Sequence, residues 1–284
     1  MVRQDIHEKI DTGEAYAWFN MTNETGQYFH CHDEYEIFYF IQGDIECRIE
    51  GSSYSMAPES IMLIPPNNMH GIVVRSAKLY KRVTFHFLPE ILSEDEQNLF
   101  LGMFTKPCRY IPDLSTLKLN SQVEGLKECR KMEGELQKIT FKHRLISLLA
   151  DLYQLSIKTE THSNPRNERV NTILQYLNSN LTEDISLEHL SQKFYISKNY
   201  LNLLFSSETG MTVHRYLQLK RLNIARQEIR NGQSIEEAAF KAGFRDYSNF
   251  YRAYKSFFGT KPSASKQNEN NLFSMPLDRV DNFS

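Results

Sequence analysis

Two stretches of the C-terminal third, Ile185 to Gly210 (ISLEHLSQKFYISKNYLNLLFSSETG) and Ser234 to Gly259 (SIEEAAFKAGFRDYSNFYRAYKSFFG), repeat one pattern at an offset of 48 to 49 residues. In each, a serine (Ser186 or Ser234) precedes an aliphatic residue (Leu187 or Ile235) and a small or apolar pair (Leu190-Ser191 or Ala238-Ala239). An apolar turn residue follows (Ile196 or Phe244), then two anchors (Leu201 and Phe205, or Phe250 and Tyr254) and a glycine stop (Gly210 or Gly259). The spacing predicts helix, short turn, helix, and Ser234 with Glu237 forms a capping box. Each helix has apolar surface for its partner and one more helix only. That third helix is Thr212 to Arg230, with Val213, Tyr216, Leu217, Leu222, Ala225 and Ile229 inward and Lys220, Arg221, Arg226 and Arg230 outward. Its 19 residues make a rod of roughly 28 Å, comparable to the roughly 34 Å of one DNA turn. Such a rod suits two recognition helices in successive major grooves, where base edges carry a distinguishable donor and acceptor pattern.

Charge points the same way. The net charge of -2 conceals 15 Lys and Arg against 9 Asp and Glu between Pro165 and Asn268, and 18 against 26 in the remainder. A basic block on an acidic chain is the electrostatic footprint of a module that meets phosphate. Length (284 residues) and a 40% hydrophobic, 24% charged composition give an ordinary globular chain of about two domains. Residues 1–25 hold no apolar signal core, and no later run approaches the roughly 18 apolar residues of a membrane span. A cytoplasmic protein is therefore expected, without membrane partners. Cys31, Cys47, Cys108 and Cys129 lie far apart with no C-x-x-C pair, so buried, reduced thiols without chemistry are expected.

The N-terminal half follows another period. From about residue 16 to 90, short β-branched and aromatic runs such as Tyr35 to Gln42 are cut by turn signals at Gly43-Asp44, Gly51-Ser52, Pro58-Glu59 and Pro65-Pro66-Asn67-Asn68, the mark of an all-β barrel. Helical periodicity then predicts two segments, Val123 to Lys138 and Thr140 to Lys158. In the second, Leu145, Leu148, Leu149, Leu152 and Leu155 form a stripe that packs on the barrel or pairs with its copy in a second subunit. The polar stretch Thr159 to Asn167 reads as a linker. The fold class is multidomain α+β. Its parts are a barrel at 1–115, a helical dimerisation or connector segment at 116–160, a linker at 161–168, an all-α domain with two helix-turn-helix units at 169–266, and a mobile tail at 267–284.

The second copy runs Ile235-x3-Ala239-x3-Gly243-Phe244-x-Asp246-x-Ser248-x-Phe250-x3-Tyr254-Lys255-x3-Gly259-x2-Pro262, after Phe205-x4-Gly210 and Arg221-Leu222-x2-Ala225-x3-Ile229. Over about 100 residues this closely resembles the DNA-binding domain of AraC/XylS-type regulators. Three departures are Ala238 for the usual Ile, Tyr254 for the usual Phe, and Ser265-Lys266 for the expected Tyr-Arg. The resemblance places base-facing positions on Asn199, Asn202, Leu203, Tyr247, Ser248, Tyr251 and Arg252. Asn199 and Asn202 suit adenine edges and Arg252 suits guanine, whereas Leu203 stands where a polar side chain is usual. Lys198, Lys220, Arg221, Lys255 and Lys261 are expected phosphate neighbours.

In the barrel, His30-Cys31-His32-x3-Glu36-x6-Gly43 and Pro65-Pro66-x3-His70 resemble the two motifs of the cupin barrel, with Gly26 near the usual leading Gly and Glu59 in place of the second motif's Gly. Strand alternation puts His30 and His32 on one face. In cupin enzymes such residues hold a divalent metal. In the sensory barrels of AraC-type regulators the same positions line a pocket for a sugar or other polar metabolite, or brace the barrel. Trp18 is a candidate for stacking on a ligand, and the facing of Arg82, Thr84 and His86 stays open. The reading is a regulator sensing a small molecule, expected to be a homodimer on double-stranded DNA, and to meet RNA polymerase where it activates. The alternatives are a metal-dependent cupin enzyme with an appended DNA-binding module, and a DNA binder without effector. No Ser/His/Asp elbow, P-loop or dinucleotide fingerprint is present.

Overall fold

The computed structural model describes residues 6–13, 15–22, 25–104, 108–112, 114, 119–158 and 168–264. Residues 161–167 of the expected linker, the tail from 267 onward, and the Ser265-Lys266 departure lie outside them.

Among the described residues, ten strands form two sheets. β1 (Ile6–Asp11), β2 (Ala15–Thr22), β9 (Tyr80–Phe87), β4 (Tyr35–Gln42), β7 (Ser60–Ile64) and β10 (Arg109–Ile111) make a six-stranded sheet in that order. β3 (Gly26–His30), β8 (His70–Val74), β5 (Ile45–Ile49) and β6 (Ser52–Ser55) make a four-stranded one. Alternation along β4 explains the layering. Ile37 and Tyr39 join a core with the helices, while Phe38 and Phe40 meet Ile45, Cys47, Ile49, Ile72 and Val74 of the other sheet. The strands thus extend beyond the expected span of 16 to 90 on both sides. Glu59, which stands where the cupin pattern has Gly, takes a left-handed φ of 57°.

The six-stranded sheet is covered by α1 (Glu94–Phe100), α2 (Leu119–Glu128) and α3 (Gly134–Lys158). The break between the last two lies at 129–133, ahead of the expected boundary. A short turn at Cys129–Lys131 ends α2, and the Gln137 amide donates to the carbonyls of Cys129 and Met132. Phe141, Leu145, Leu148, Leu149 and Leu152 are fully buried against the barrel core, so this stripe packs on the barrel.

The C-terminal part is α4 (Glu168–Ser179), α5 (Leu187–Lys193), α6 (Lys198–Thr209), α7 (Val213–Arg230), α8 (Ile235–Lys241) and α9 (Tyr247–Phe258). Side chains of Ser186, Ser197, Thr212, Ser234 and Asp246 accept from backbone amides at the five N-termini from α5 to α9, and Ser234 with Glu237 completes a capping box. α5–α6 and α8–α9 are the two helix-turn-helix units, joined by α7.

Candidate nucleic-acid interface and effector site

α6 and α9 are the second helices of their units. Their inward anchors, Leu201 and Phe205 or Phe250 and Tyr254, are fully buried. That rotation leaves Lys198, Asn199 and Leu203 (70% exposed) outward on α6, with Asn202 half-buried. On α9 it leaves Tyr247, Ser248, Arg252 and Lys255 exposed, with Tyr251 half-buried. Arg252 is braced on its own helix by the Ser248 carbonyl (3.4 Å) and the Asn249 side chain (2.6 Å), and Lys198 pairs with Glu188 at 2.8 Å. An exposed guanidinium fork and carboxamides on the second helix can meet base edges, and exposed lysines can meet phosphate.

The rod's basic residues correct the expectation. Lys220 is buried, bonded to the Glu50 carboxylate and the Asn67 carbonyl. Arg230 pairs with Asp33. Arg221 donates to the carbonyls of Leu181 (2.7 Å) and Glu183 (2.6 Å), and the Arg226 guanidinium lies 4.8 Å from the Phe258 ring centroid. Lys220 stands four residues after Tyr216 and Arg230 ten residues after Lys220, on a face that meets Glu50, Asn67 and Asp33. That face is covered by the barrel.

Glu50 is the hub of the contact. It accepts from Tyr216 Oη (2.6 Å), Asn178 (3.1 Å), the Met69 amide (2.7 Å) and Lys220. Burial raises its carboxyl pKa, but the Lys220 charge and these bonds outweigh burial and hold it below the ordinary 4.5. Asn223, fully buried, lies 2.8 Å from Cys31 Sγ. The four cysteines are buried and in no disulfide, and burial pushes the Cys31 thiol up to about 11, which leaves it protonated and unreactive.

Behind α7 sits the polar end of the barrel. His30 is opposite His70 across β3 and β8, and Glu36 is opposite His86 across β4 and β9. One ligand atom from each of His30, His32, Glu36 and His70 falls within 4.8 Å of the others. Glu36 Oε2 is 3.0 Å from His32 Nε2 and 2.9 Å from His70 Nε2. Both rings are fixed from behind, since His32 Nδ1 donates to the Glu34 carbonyl (3.2 Å) and His70 Nδ1 to the Asn68 carbonyl (2.8 Å). Burial lowers the His32 pKa, but hydrogen bonds to Glu34 and Glu36 outweigh it and raise the imidazole to about 9. Burial lowers His86 to about 3 and His30 well below 6.5, the latter aided by His70 and His32.

The structure brings the four predicted barrel residues together and leaves Trp18 aside. Trp18 is half-buried on β2, packed with Tyr16 and under the Lys9 ammonium at 5.3 Å. His86 resolves the open facing of β9: it is buried inward, stacked on Tyr16 at 4.3 Å. Sequence reasoning missed Asp33, Glu34, Glu50 and Asn223. The available signal was a polar stripe at helical spacing, Tyr216, Lys220, Asn223 and Arg230, facing acidic barrel turns.

Two recognition helices held by a rod, docked over a barrel with a polar interior, define a DNA-binding regulator with a sensory domain. Residues 20–177 match the AraC-like ligand binding domain family and residues 190–268 a helix-turn-helix domain family. The chain is 23% identical over 271 residues to the HTH-type transcriptional regulator YfiF of Bacillus subtilis, covering 90% of this chain and 84% of that one. It is 25% identical over 247 residues to the probable transcriptional regulator LumQ of Photobacterium leiognathi (85% and 93% covered). It is 23% identical over 248 residues to the HTH-type transcriptional activator RhaS of Klebsiella pneumoniae (84% and 87%). An apo ToxT variant structure from Vibrio cholerae aligns with a TM-score of 0.43 at 14% identity, over 89% of this chain and 97% of that one. The chain belongs to the AraC-type transcriptional regulators: it is a ligand-responsive, DNA-binding protein. Among the described residues no helix is long and apolar enough to cross a membrane.

Proposed function

We propose that this regulator senses a small polar effector, a sugar or metabolite of similar polarity, at His30, His32, Glu36 and His70, with Trp18 at the edge of the site. In this reading α7 carries the state of the barrel to α6 and α9. These read DNA through Asn199, Asn202, Leu203, Tyr247, Ser248, Tyr251 and Arg252, while Lys198 and Lys255 neighbour phosphates. The protein acts as a homodimer and meets RNA polymerase where it activates.

One observation supports the reading above the others: α7 lies on both loops that carry site residues. Lys220 holds the Asn67 carbonyl three residues before His70, Arg230 holds Asp33 next to His32, and the Asn67 amide ties the two loops through the His32 carbonyl at 2.7 Å. An effector that binds the docked and undocked arrangements unequally shifts their balance. The test is anisotropy of labelled DNA from beside the gene, at fixed salt, against monosaccharides and sugar acids. Glu36→Gln is expected to abolish any effector response while leaving effector-free DNA affinity unchanged. A response that survives Glu36→Gln unaltered overturns the site.

A second reading rests on the convergence of the four ligand atoms within 4.8 Å. Metal–nitrogen and metal–oxygen bonds of about 2.0–2.2 Å need this kind of clustering. Backbone carbonyls orienting the rings from behind are the support such ligands need. His30, His32, Glu36 and His70 would hold the ion, which when bound would act as a Lewis acid toward effector oxygens. Protein purified without chelator and found to hold under about a tenth of an equivalent of any transition metal removes this reading.

A further inference from the structure

The two readers turn different chemistry outward. On α6, Asn199, Tyr200 and Leu203 lie three and four residues apart and share one side of the helix. All three are exposed, Tyr200 at 48% and Leu203 at 70%. They fall within the first two turns, the part of a reading helix that meets base edges. Leu203 joins none of the hydrophobic clusters of the described residues, although its neighbour Leu204 packs into the first unit's core. The barrel touches α6 at its far end, where Arg48 holds the Ser207 carbonyl and the Phe29 ring lies against Gly210. The one cation in the first two turns, Lys198, is paired with Glu188. α9 is equipped otherwise, with an exposed Arg252 fork and Lys255 three residues further on.

We infer that Leu203 reads thymine methyl groups, so that the operator carries A·T pairs under α6, about one helical turn from the guanine that Arg252 suits. In the major groove thymine alone presents a methyl, and cytosine in its place presents an amino donor. An aliphatic side chain gains by covering the first, and it strips water from the second without a hydrogen bond in return. Asn199, whose carboxamide matches adenine N6 and N7, adds to the same preference. Four residues of helix advance about 6 Å and base pairs follow at about 3.4 Å, so Asn199 and Leu203 address pairs no more than about two apart. With no guanidinium on this face, α6 has no fork for guanine O6 and N7. α7 sets the distance to the second reader: its 18 residues span about 27 Å. Covering one methyl is worth about four-fold in affinity.

Thymine reading by Leu203 rests on the proposal that α6 faces DNA, and one experiment separates the two. Anisotropy titrations at fixed salt use the full chain and a labelled duplex from beside the gene, made once with thymine and once with deoxyuridine, which keeps every hydrogen-bonding group and lacks only the methyl. Wild type is expected to bind the uracil duplex at least about four-fold more weakly. Leu203→Ala is expected to bind the thymine duplex about four-fold more weakly than wild type does, and to lose that same factor from its own thymine-to-uracil ratio. Its melting temperature should match wild type, because the side chain is exposed. Leu203→Gln, which keeps the length and removes the apolar end, is expected to lose the ratio in the same way. Arg252→Ala, weaker on both duplexes, is expected to keep the wild-type ratio. Uracil placed at one position at a time should locate the sensitive pairs about 10 base pairs from the pair where Arg252→Ala relaxes discrimination. A Leu203→Ala chain with undiminished affinity, or with the wild-type ratio, overturns thymine reading and leaves α6 on DNA. A wild-type chain that binds this duplex and a scrambled one equally removes the base-reading proposal itself.

Discussion

The two helix-turn-helix units are near copies in sequence and stand in different surroundings. The first shares its core with the barrel: Cys31 and Met69 pack among Leu190, Leu201, Phe205 and Tyr216, and Arg48 of β5 donates to the Ser207 carbonyl at 3.1 Å. The second builds its core from α7, α8 and α9 alone, around Leu222, Ala225, Phe250 and Tyr254. The glycine stops show the contrast residue by residue. Gly210 and Gly259 both take left-handed φ, 79° and 71°. A Cβ on Gly210 would run into the Phe29 ring, whereas one on Gly259 meets open space. The difference teaches where control enters. The barrel touches the first reader and the rod directly.

The largest test removes the hub. Glu50→Ala leaves Lys220 buried without a counter-charge, and breaking a buried pair in this way costs about 3–5 kcal/mol. A lowered melting temperature is expected, with faster amide exchange in α7 and around Met69 and none of that gain in α9. Equal acceleration in α9 would mean the two units are not separately tied to the barrel. Replacing both partners, Glu50→Leu with Lys220→Met, is expected to recover most of the loss, as apolar substitutes for buried ion pairs do.

A smaller effect separates the glycines. Gly259→Ala carries only the left-handed backbone penalty of about 1–2 kcal/mol. Gly210→Ala carries the same penalty plus displacement of Phe29, so its thermal shift should be clearly the greater. Equal shifts would break the claim that the first unit alone is docked.

Reading of DNA should be affected next. Arg252→Ala, on the free unit, is expected to lose about 1–3 kcal/mol of sequence-specific affinity and to relax discrimination at one base pair. Lys255→Ala should weaken binding uniformly and reduce the salt slope by about 1. A variant at Arg252 that changes only the salt slope would assign it to phosphate.

The smallest effect is on pH. Because the folded Glu50 carboxyl lies below its ordinary 4.5, its contribution is complete above that value and declines as pH falls through the depressed one. Docking should therefore loosen on acidification below about 4.5, and Glu50→Gln should flatten that slope. An unchanged acid limb in Glu50→Gln would assign the loss to other carboxylates.

Much of the fold was legible because its signals are local. Ser186, Ser234 and Thr212 mark helix starts through hydrogen bonds three residues away, and the buried anchors of α6 and α9 recur at helical spacing. Convergence of His30, His32, Glu36 and His70 was readable from strand alternation and the paired motifs. The inward turn of His86 was not, since Arg82, Thr84 and His86 offer no contrast between a lining face and a wet one. The α3 leucine stripe allowed two partners in sequence. Burial assigns it to the barrel.

By itself the sequence determined the two helix-turn-helix repeats, their buried anchors and the caps at Ser186 and Ser234, each a matter of spacing within a dozen residues. Tertiary structure alone decided that the polar face of α7 meets the barrel instead of water. A row of Tyr216, Lys220, Asn223 and Arg230 has the same periodicity in either setting. Its partners Glu50 and Asp33 lie far away in the chain, the first 170 residues from Lys220. A charge pair at that separation leaves no pattern in a sequence until folding brings both members out of water together.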